Sequence, residues 1–104
     1  MSDPRSIILH NVAGSALTPV AGIAGAYIRE LSIEDVDAID VGTAEGSARL
    51  LAAALVDAAG APLFTPDDIA ALARLKIGVF SGLFRQVNAA NGISGEAAED
   101  LAKN

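Results

Sequence analysis

LFTPDDIAALARLKIGVFSGLFRQVNAANG, residues 63–92, carries the clearest physical grammar in the chain. Thr65 can cap a helix, Pro66 suits the first helical position because its missing N–H would be unpaired there, and Asp67 and Asp68 put negative charge at the positive end of the helix dipole. Phe64 and Ile69 fall where a hydrophobic staple would set the angle of entry. The first helix then offers Ile69, Leu72 and Ala73 on one side. After a break near Leu75 and Lys76, a second helix repeats Ile77, Phe80, Leu83, Phe84 and Val87 at spacings of three and four, one stripe of a 3.6-residue period. Asn91-Gly92 ends it, with Gly92 free to take the left-handed conformation of a helix C-terminus. A helix hairpin is therefore expected, and its aromatic and aliphatic side chains gain roughly 1.5–3 kcal/mol each from leaving water. They need a partner surface, from this chain or from another.

The whole chain has 104 residues, enough for one domain with a modest core. Its apolar content of 52% is largely alanine and its aromatic content is 4%, a balance suited to close-packed helices. A net charge of −6 with seven scattered basic residues argues against a nucleic-acid surface, which needs clustered Lys and Arg. The absence of cysteine excludes disulfides, thiolate metal sites and thiol catalysis. Residues 6–28 contain no Asp, Glu, Lys or Arg, but His10-Asn11, Ser15, Thr18, Pro19 and three glycines dilute the stretch below the ~20 strongly apolar residues of a spanning helix. Ala24-Gly25-Ala26 has the small residues of a signal cleavage site, yet Asp3 beside Arg5 and a weak apolar core make export unexpected.

Working outward, residues 1–5 read as a frayed end. Ser6 to Val12 is rich in β-branched residues and reads as a strand, followed by a Gly/Ala/Pro loop without a derivable conformation. Ala26 to Leu31 is a second strand candidate, with Tyr27, Arg29 and Leu31 on one face. These two segments either form a small antiparallel pair or belong to an arm that only a partner orders. At Ser32 the helix-start pattern recurs: Ser32 caps, Asp35 sits where a capping box closes, and Leu31 and Val36 can staple. That helix ends before Gly42. A longer one is expected from Ala44 to about Asp57, with Leu50, Leu51, Ala54 and Leu55 and small alanines between them. Asp57 to Pro62 reads as a turn, and Ser94 can cap a final short helix through Leu101. The expected fold is thus mainly α, a small helical domain with a short N-terminal β-hairpin (α+β): a single domain over 1–104, with strands and loop at 6–31 and a helical bundle at 32–104.

No reactive constellation stands out. Glu34, Asp35, Asp37, Asp40 and Glu45 crowd one region, and paired carboxylates can do acid–base work or hold a divalent cation. Here they occupy a helix start and its solvated face, with no histidine nearby in sequence. His10 is the single imidazole and has no supporting motif. The glycines form no G-x-x-x-x-G-K-[ST] loop, and counting back from Gly60 as the sixth position of a calcium loop puts Leu55 at the first ligand. Gly46-Ser47-Ala48 lacks the Asp-Ser-Leu usual at the prosthetic-group serine of an acyl carrier protein. No enzyme, cofactor or metal site is expected.

The order and spacing of Tyr27-Ile-Arg-Glu-Leu-Ser32, Arg49-Leu-Leu51, Val56-Asp57, Gly60, Leu63-Phe64-Thr65, Asp67-Asp68, Leu72, Leu83-Phe84, Asn91-Gly92 and Leu101-Ala-Lys-Asn104 resemble the tail assembly chaperones of long-tailed bacteriophages. The resemblance covers residues 27–104. The chain departs from it in its glycine- and alanine-rich N-terminal region, in Ala58-Ala59 where members often carry acidic residues, and in Lys76 where a small residue or proline is common. The resemblance implies a non-enzymatic assembly factor in the host cytoplasm, absent from the mature virion. It would coat and solubilise the tape measure protein, help recruit tail tube subunits, and self-associate as a homo-oligomer. Many members are also made in a longer, frameshifted form, and Ala102-Lys103-Asn104 permits the slippery heptamer A AAA AAC.

Independently of the resemblance, an amphipathic hairpin on an acidic helical domain suits the docking of partner helices in an apolar groove, with neither nucleic acid nor membrane as partner. A regular stripe is usually buried in its own domain, so Phe80, Leu83 and Phe84 are expected mainly in the core. Partner contact then falls to apolar residues at the edges, Ile77 and Val79 foremost; Ile77, Val79, Phe80 and Leu83 are the candidate partner-binding residues. The rival readings are a structural tail or adaptor subunit retained in the virion, and a small acidic regulator or antitoxin.

Overall fold

The computed structural model describes residues 3–10, 16–40 and 42–92. In chain order they form α1 (Pro4–Leu9), β1 (Leu17–Pro19), β2 (Tyr27–Arg29), α2 (Ile33–Asp37), α3 (Ala44–Ala54), β3 (Leu55–Val56), a 3-10 turn (Pro66–Asp68) running into α4 (Ile69–Leu72), and α5 (Ile77–Ala90). The strands make one antiparallel sheet in the order β1-β2-β3. The architecture is a mainly helical α+β domain with its sheet near the N-terminus, as the sequence predicts, but it differs from expectation in two regions.

The strand expected from Ser6 to Val12 is instead helical through Leu9, its last two residues lying outside the described ones. The cause is local. Asp3 is the N-cap: its carboxylate accepts from Ser6 N–H at 2.9 Å and from the Ser6 hydroxyl at 3.1 Å, and Pro4 takes the first helical position. This is the signal that starts the helix at Thr65-Pro66, and here it outweighs the β preference of Ile7 and Ile8. His10 closes the helix, its Nδ1 2.7 Å from Ser6 O. The outer strand of the hairpin comes from Leu17–Pro19, inside the stretch expected to be loop, paired Leu17 to Arg29 and Pro19 to Tyr27. Proline is tolerated at such an edge because its missing N–H faces no neighbour. Residues 20–26 connect the two strands by consecutive tight turns, with Ile23 N–H bonded to Val20 O and Ala26 N–H to Ile23 O. Gly22 and Gly25 hold the third position of each with φ of 83° and 87°, where any side chain would be strained.

The second difference is the end of α3, which stops at Ala54, short of Asp57. Leu55 and Val56 pair with Ile28 and Tyr27, completing the sheet. Both are buried. Cross-strand pairing with a segment far away in sequence overrides local helix preference here. Beyond them the chain reverses as expected: Asp57 Oδ1 accepts from Ala59 and Ala61 N–H at 2.8 and 3.0 Å, and Gly60 adopts φ 84°.

The core joins Val20, Ala26, Ile28 and Leu55 from the sheet side with Leu51 and Ala54 of α3 and Val87 of α5. Leu31, Phe64, Phe80, Leu83 and Ala90 pack around it. α3 is the central helix, touching both α4 and α5. Thr43 caps it through Gly46 N–H at 2.9 Å, and buried Gly46 lies so close to the Asp40 carbonyl that a Cβ there would overlap it. At its other end, Arg29 Nε donates to Ala53 O at 2.6 Å, placing a cation at the negative end of the helix dipole. The hairpin of residues 63–92 forms with its expected break at Leu75-Lys76, and Gly92 takes φ 77°. Asp68 closes its start, accepting from Thr65 N–H at 2.8 Å and from the Thr65 hydroxyl at 3.2 Å. The helix expected from Ser94 to Leu101 lies outside the described residues.

Candidate functional site

α5 is held by its C-terminal half. Val87 is buried at 2% exposure, the Gln86 side chain accepts from Ala21 N–H at 2.8 Å, and Asn91 Oδ1 accepts from Leu31 N–H at 2.7 Å. Phe80 and Leu83 are half-buried against the core, and Phe84 stacks on Phe80 with ring centroids 5.5 Å apart. Towards the N-terminal end the cover runs out. Ile77, the first residue of the apolar stripe, is 78% exposed, and Val79 is 47% exposed. Of the four candidate partner-binding residues, Ile77 and Val79 therefore lie open while Phe80 and Leu83 are partly committed to the core. The stripe is therefore not buried along its whole length. It opens at its start, where α4, only four residues long, leaves the first turn of α5 uncovered.

This opening borders a groove of about 140 Å³ between α3, α4 and the first turn of α5. Ala48 and Leu72 form its buried floor, with Ser47, Leu75, Ile77 and Phe80 on its walls. Leu75 extends the exposed apolar surface at 36% exposure. Nothing in the periodicity of one helix reveals this groove, because it is made where three helices meet.

Arg74 and Lys76 flank Leu75 in sequence and are exposed, and neither takes part in an ion pair among the described residues. On the α3 side, Glu45 is neutralised by Arg49 at 2.7 Å. The start of α5 adds to this field, since its N-cap is Lys76, which makes no capping side-chain hydrogen bond, and no acidic residue stands in the first turn.

The other residues weighed as functional stay apart from any such surface. Asp35 completes the expected capping box: its carboxylate accepts from Ser32 N–H at 2.8 Å and from Arg29 at 3.3 Å, while its own N–H donates to Ser32 Oγ at 3.1 Å. The hydrogen bond from the Ser32 backbone, with the Arg29 guanidinium behind it, holds the Asp35 carboxyl below its ordinary value against the opposing effect of partial burial. Asp40 turns back onto Gly42 N–H at 3.0 Å. Val36, expected to staple with Leu31, is 41% exposed. Among the described residues, no group of three or more His, Cys, Asp or Glu converges on a point where a metal could sit, and no helix is long and apolar enough to cross a membrane. Comparison of the chain with known protein families, curated proteins and solved structures finds no match.

Proposed function

We propose that this chain is a tail assembly chaperone: a non-enzymatic protein that binds the helical tape measure protein, keeps it in solution and helps gather tail tube subunits around it. The observation that carries the reading is the uncovered start of α5, where exposed Leu75 and Ile77 border a groove floored by Ala48 and Leu72, with Val79 exposed on the other side of the helix. An amphipathic helix docks on such a surface by setting residues spaced three and four apart into the groove. The sequence resemblance over residues 27–104 supports the same reading.

Exposed strip and half-buried wall have different tasks. Ile77 and Val79 meet the client directly, whereas Phe80, Leu83 and Phe84 hold α5 in place and shape the groove wall. The test is coexpression with the tape measure protein encoded in the same gene cluster, measuring the fraction of that protein recovered in solution. The wild-type chain raises it, and Ile77→Asp with Val79→Asp abolishes the gain at unchanged thermal stability. A tape measure protein that precipitates equally with and without the chain overturns the proposal. Loss of binding in Phe84→Ala with an unchanged unfolding transition overturns this division of tasks, because that side chain would then be a client contact and not a support.

A further inference from the structure

Asn91-Gly92 is the one step in the chain where glycine follows asparagine; Asn11 and Asn88 precede Val12 and Ala89. In such a step the backbone nitrogen of the glycine can attack the asparagine Cγ. A C–N bond forms, the Cγ–Nδ2 bond breaks, ammonia leaves, and a succinimide ring remains. Water then adds to either ring carbonyl and opens it to aspartate or to isoaspartate. Glycine favours the reaction because it places no Cβ beside the attacking nitrogen.

The fold holds this step closed. Ring closure needs the Gly92 nitrogen and the Asn91 Cβ on the same side of the Asn91 Cα–C bond, whereas at ψ 13° they lie nearly opposite. The side-chain amide is fixed at both ends: Oδ1 accepts from Leu31 N–H at 2.7 Å, and Nδ2 donates to Val87 O at 2.9 Å. Gly92 N–H is itself engaged, donating to Ala89 O at 3.2 Å. All of these restraints belong to the last turn of α5, and helix ends are where a folded chain opens at least cost. From this we infer that Asn91-Gly92 is a deamidation site gated by the fold: closed while Asn91 holds Leu31, and open to succinimide formation with loss of ammonia once the end of α5 lets go. Conversion runs one way. In the product a carboxylate oxygen stands where Nδ2 stood and faces Val87 O, acceptor against acceptor, and a negative charge is added at the negative end of the α5 dipole. Isoaspartate also routes the main chain through Cβ, which displaces Gly92 from Ala89. A converted chain therefore anchors α5 less well than before.

Neither the groove nor a client enters this inference. The full chain is incubated at constant, mildly alkaline pH, folded in one arm and in urea above its unfolding midpoint in the other, and the peptide containing Asn91 is followed by mass spectrometry. It converts in urea, and in the folded chain it converts at about one tenth of that rate or less. Gly92→Ala, measured in urea where the fold plays no part, slows the reaction and so assigns it to this step. Gln86→Ala cuts the tie between α5 and Ala21 while leaving Asn91 in place, and amide exchange at Leu31 and conversion at Asn91 then rise together. Should Gln86→Ala leave Leu31 exchange unchanged, urea below the midpoint supplies the opening with the same readout. Equal rates in the folded and unfolded chain overturn the inference, as does an absence of conversion in urea. So does faster exchange at Leu31 without faster conversion. Asn91→Asp has a lower thermal midpoint than wild type; an equal or higher one overturns the one-way weakening of the anchor.

Discussion

Asn91 accepts a hydrogen bond from Leu31 N–H through Oδ1 at 2.7 Å and donates through Nδ2 to Val87 O at 2.9 Å, so one side chain both closes α5 and anchors it to the chain between β2 and α2. Asn91→Ala leaves the half-buried Leu31 N–H unpaired, a loss of about 1–3 kcal/mol. The urea midpoint is expected to fall with an unchanged m-value, since neither state changes its compactness. A midpoint equal to wild type shows that water satisfies Leu31 as well as Asn91 does.

The same substitution should act with opposite sign at two helical glycines. At Gly82, in the interior of α5, an added Cβ meets nothing within 4 Å, so Gly82→Ala stabilises by roughly 0.5–1 kcal/mol through backbone entropy. At Gly46 the Cβ overlaps the Asp40 carbonyl. The strain of overpacking, typically about 1–3 kcal/mol, exceeds the helix gain, and Gly46→Ala lowers the thermal midpoint.

Leu51 and Ile77 separate stability from binding. Leu51 is fully buried at 0% exposure, and Leu51→Ala is expected to cost about 2–5 kcal/mol in chemical denaturation. Ile77 is 78% exposed, so Ile77→Ala leaves the unfolding transition within about 0.5 kcal/mol of wild type while reducing recovery of soluble tape measure protein.

Asp35 makes stability depend on acid. Its carboxyl is held below the ordinary value when folded, chiefly by the Ser32 backbone N–H, so its contribution is complete above the unfolded pKa of about 3.9 and is lost as pH falls through the folded value. Asp35→Asn lacks this dependence. The thermal midpoint of wild type should exceed that of Asp35→Asn at neutral pH, with the gap narrowing below about pH 4 and closing once the folded carboxyl is protonated.

What was legible in the residues was local. Ser32 with Asp35, Thr65 with Asp68, and Asn91 before Gly92 are signals complete within a few positions, and each marks a helix end in the structure. Asp3-Pro4 is an equally local signal in a stretch that reads as a frayed end, and in the structure it prevails over the β preference of Ile7 and Ile8. Leu55 and Val56 carry no such mark. Their strand exists only because Ile28 and Tyr27 lie beside them. The candidate surface divides in the same way: Ile77 and Val79 could be read as leftovers at the edge of a stripe, but the groove requires Ala48 and Leu72, which no single helix period brings together.

The order β1-β2-β3, with Ala21 bonded to Gln86 and Leu31 to Asn91, has a consequence for synthesis. The hairpin leaves the ribosome before α3 and α5, yet its inner strand lacks a neighbour until Val56 has emerged, and its turn lacks an acceptor until Gln86 has. At about 5–20 residues per second, the nascent chain spends several seconds with Val20 and Ile28 uncovered. The proposed guardian of insoluble helices is thus itself exposed to premature aggregation until α5 has been made.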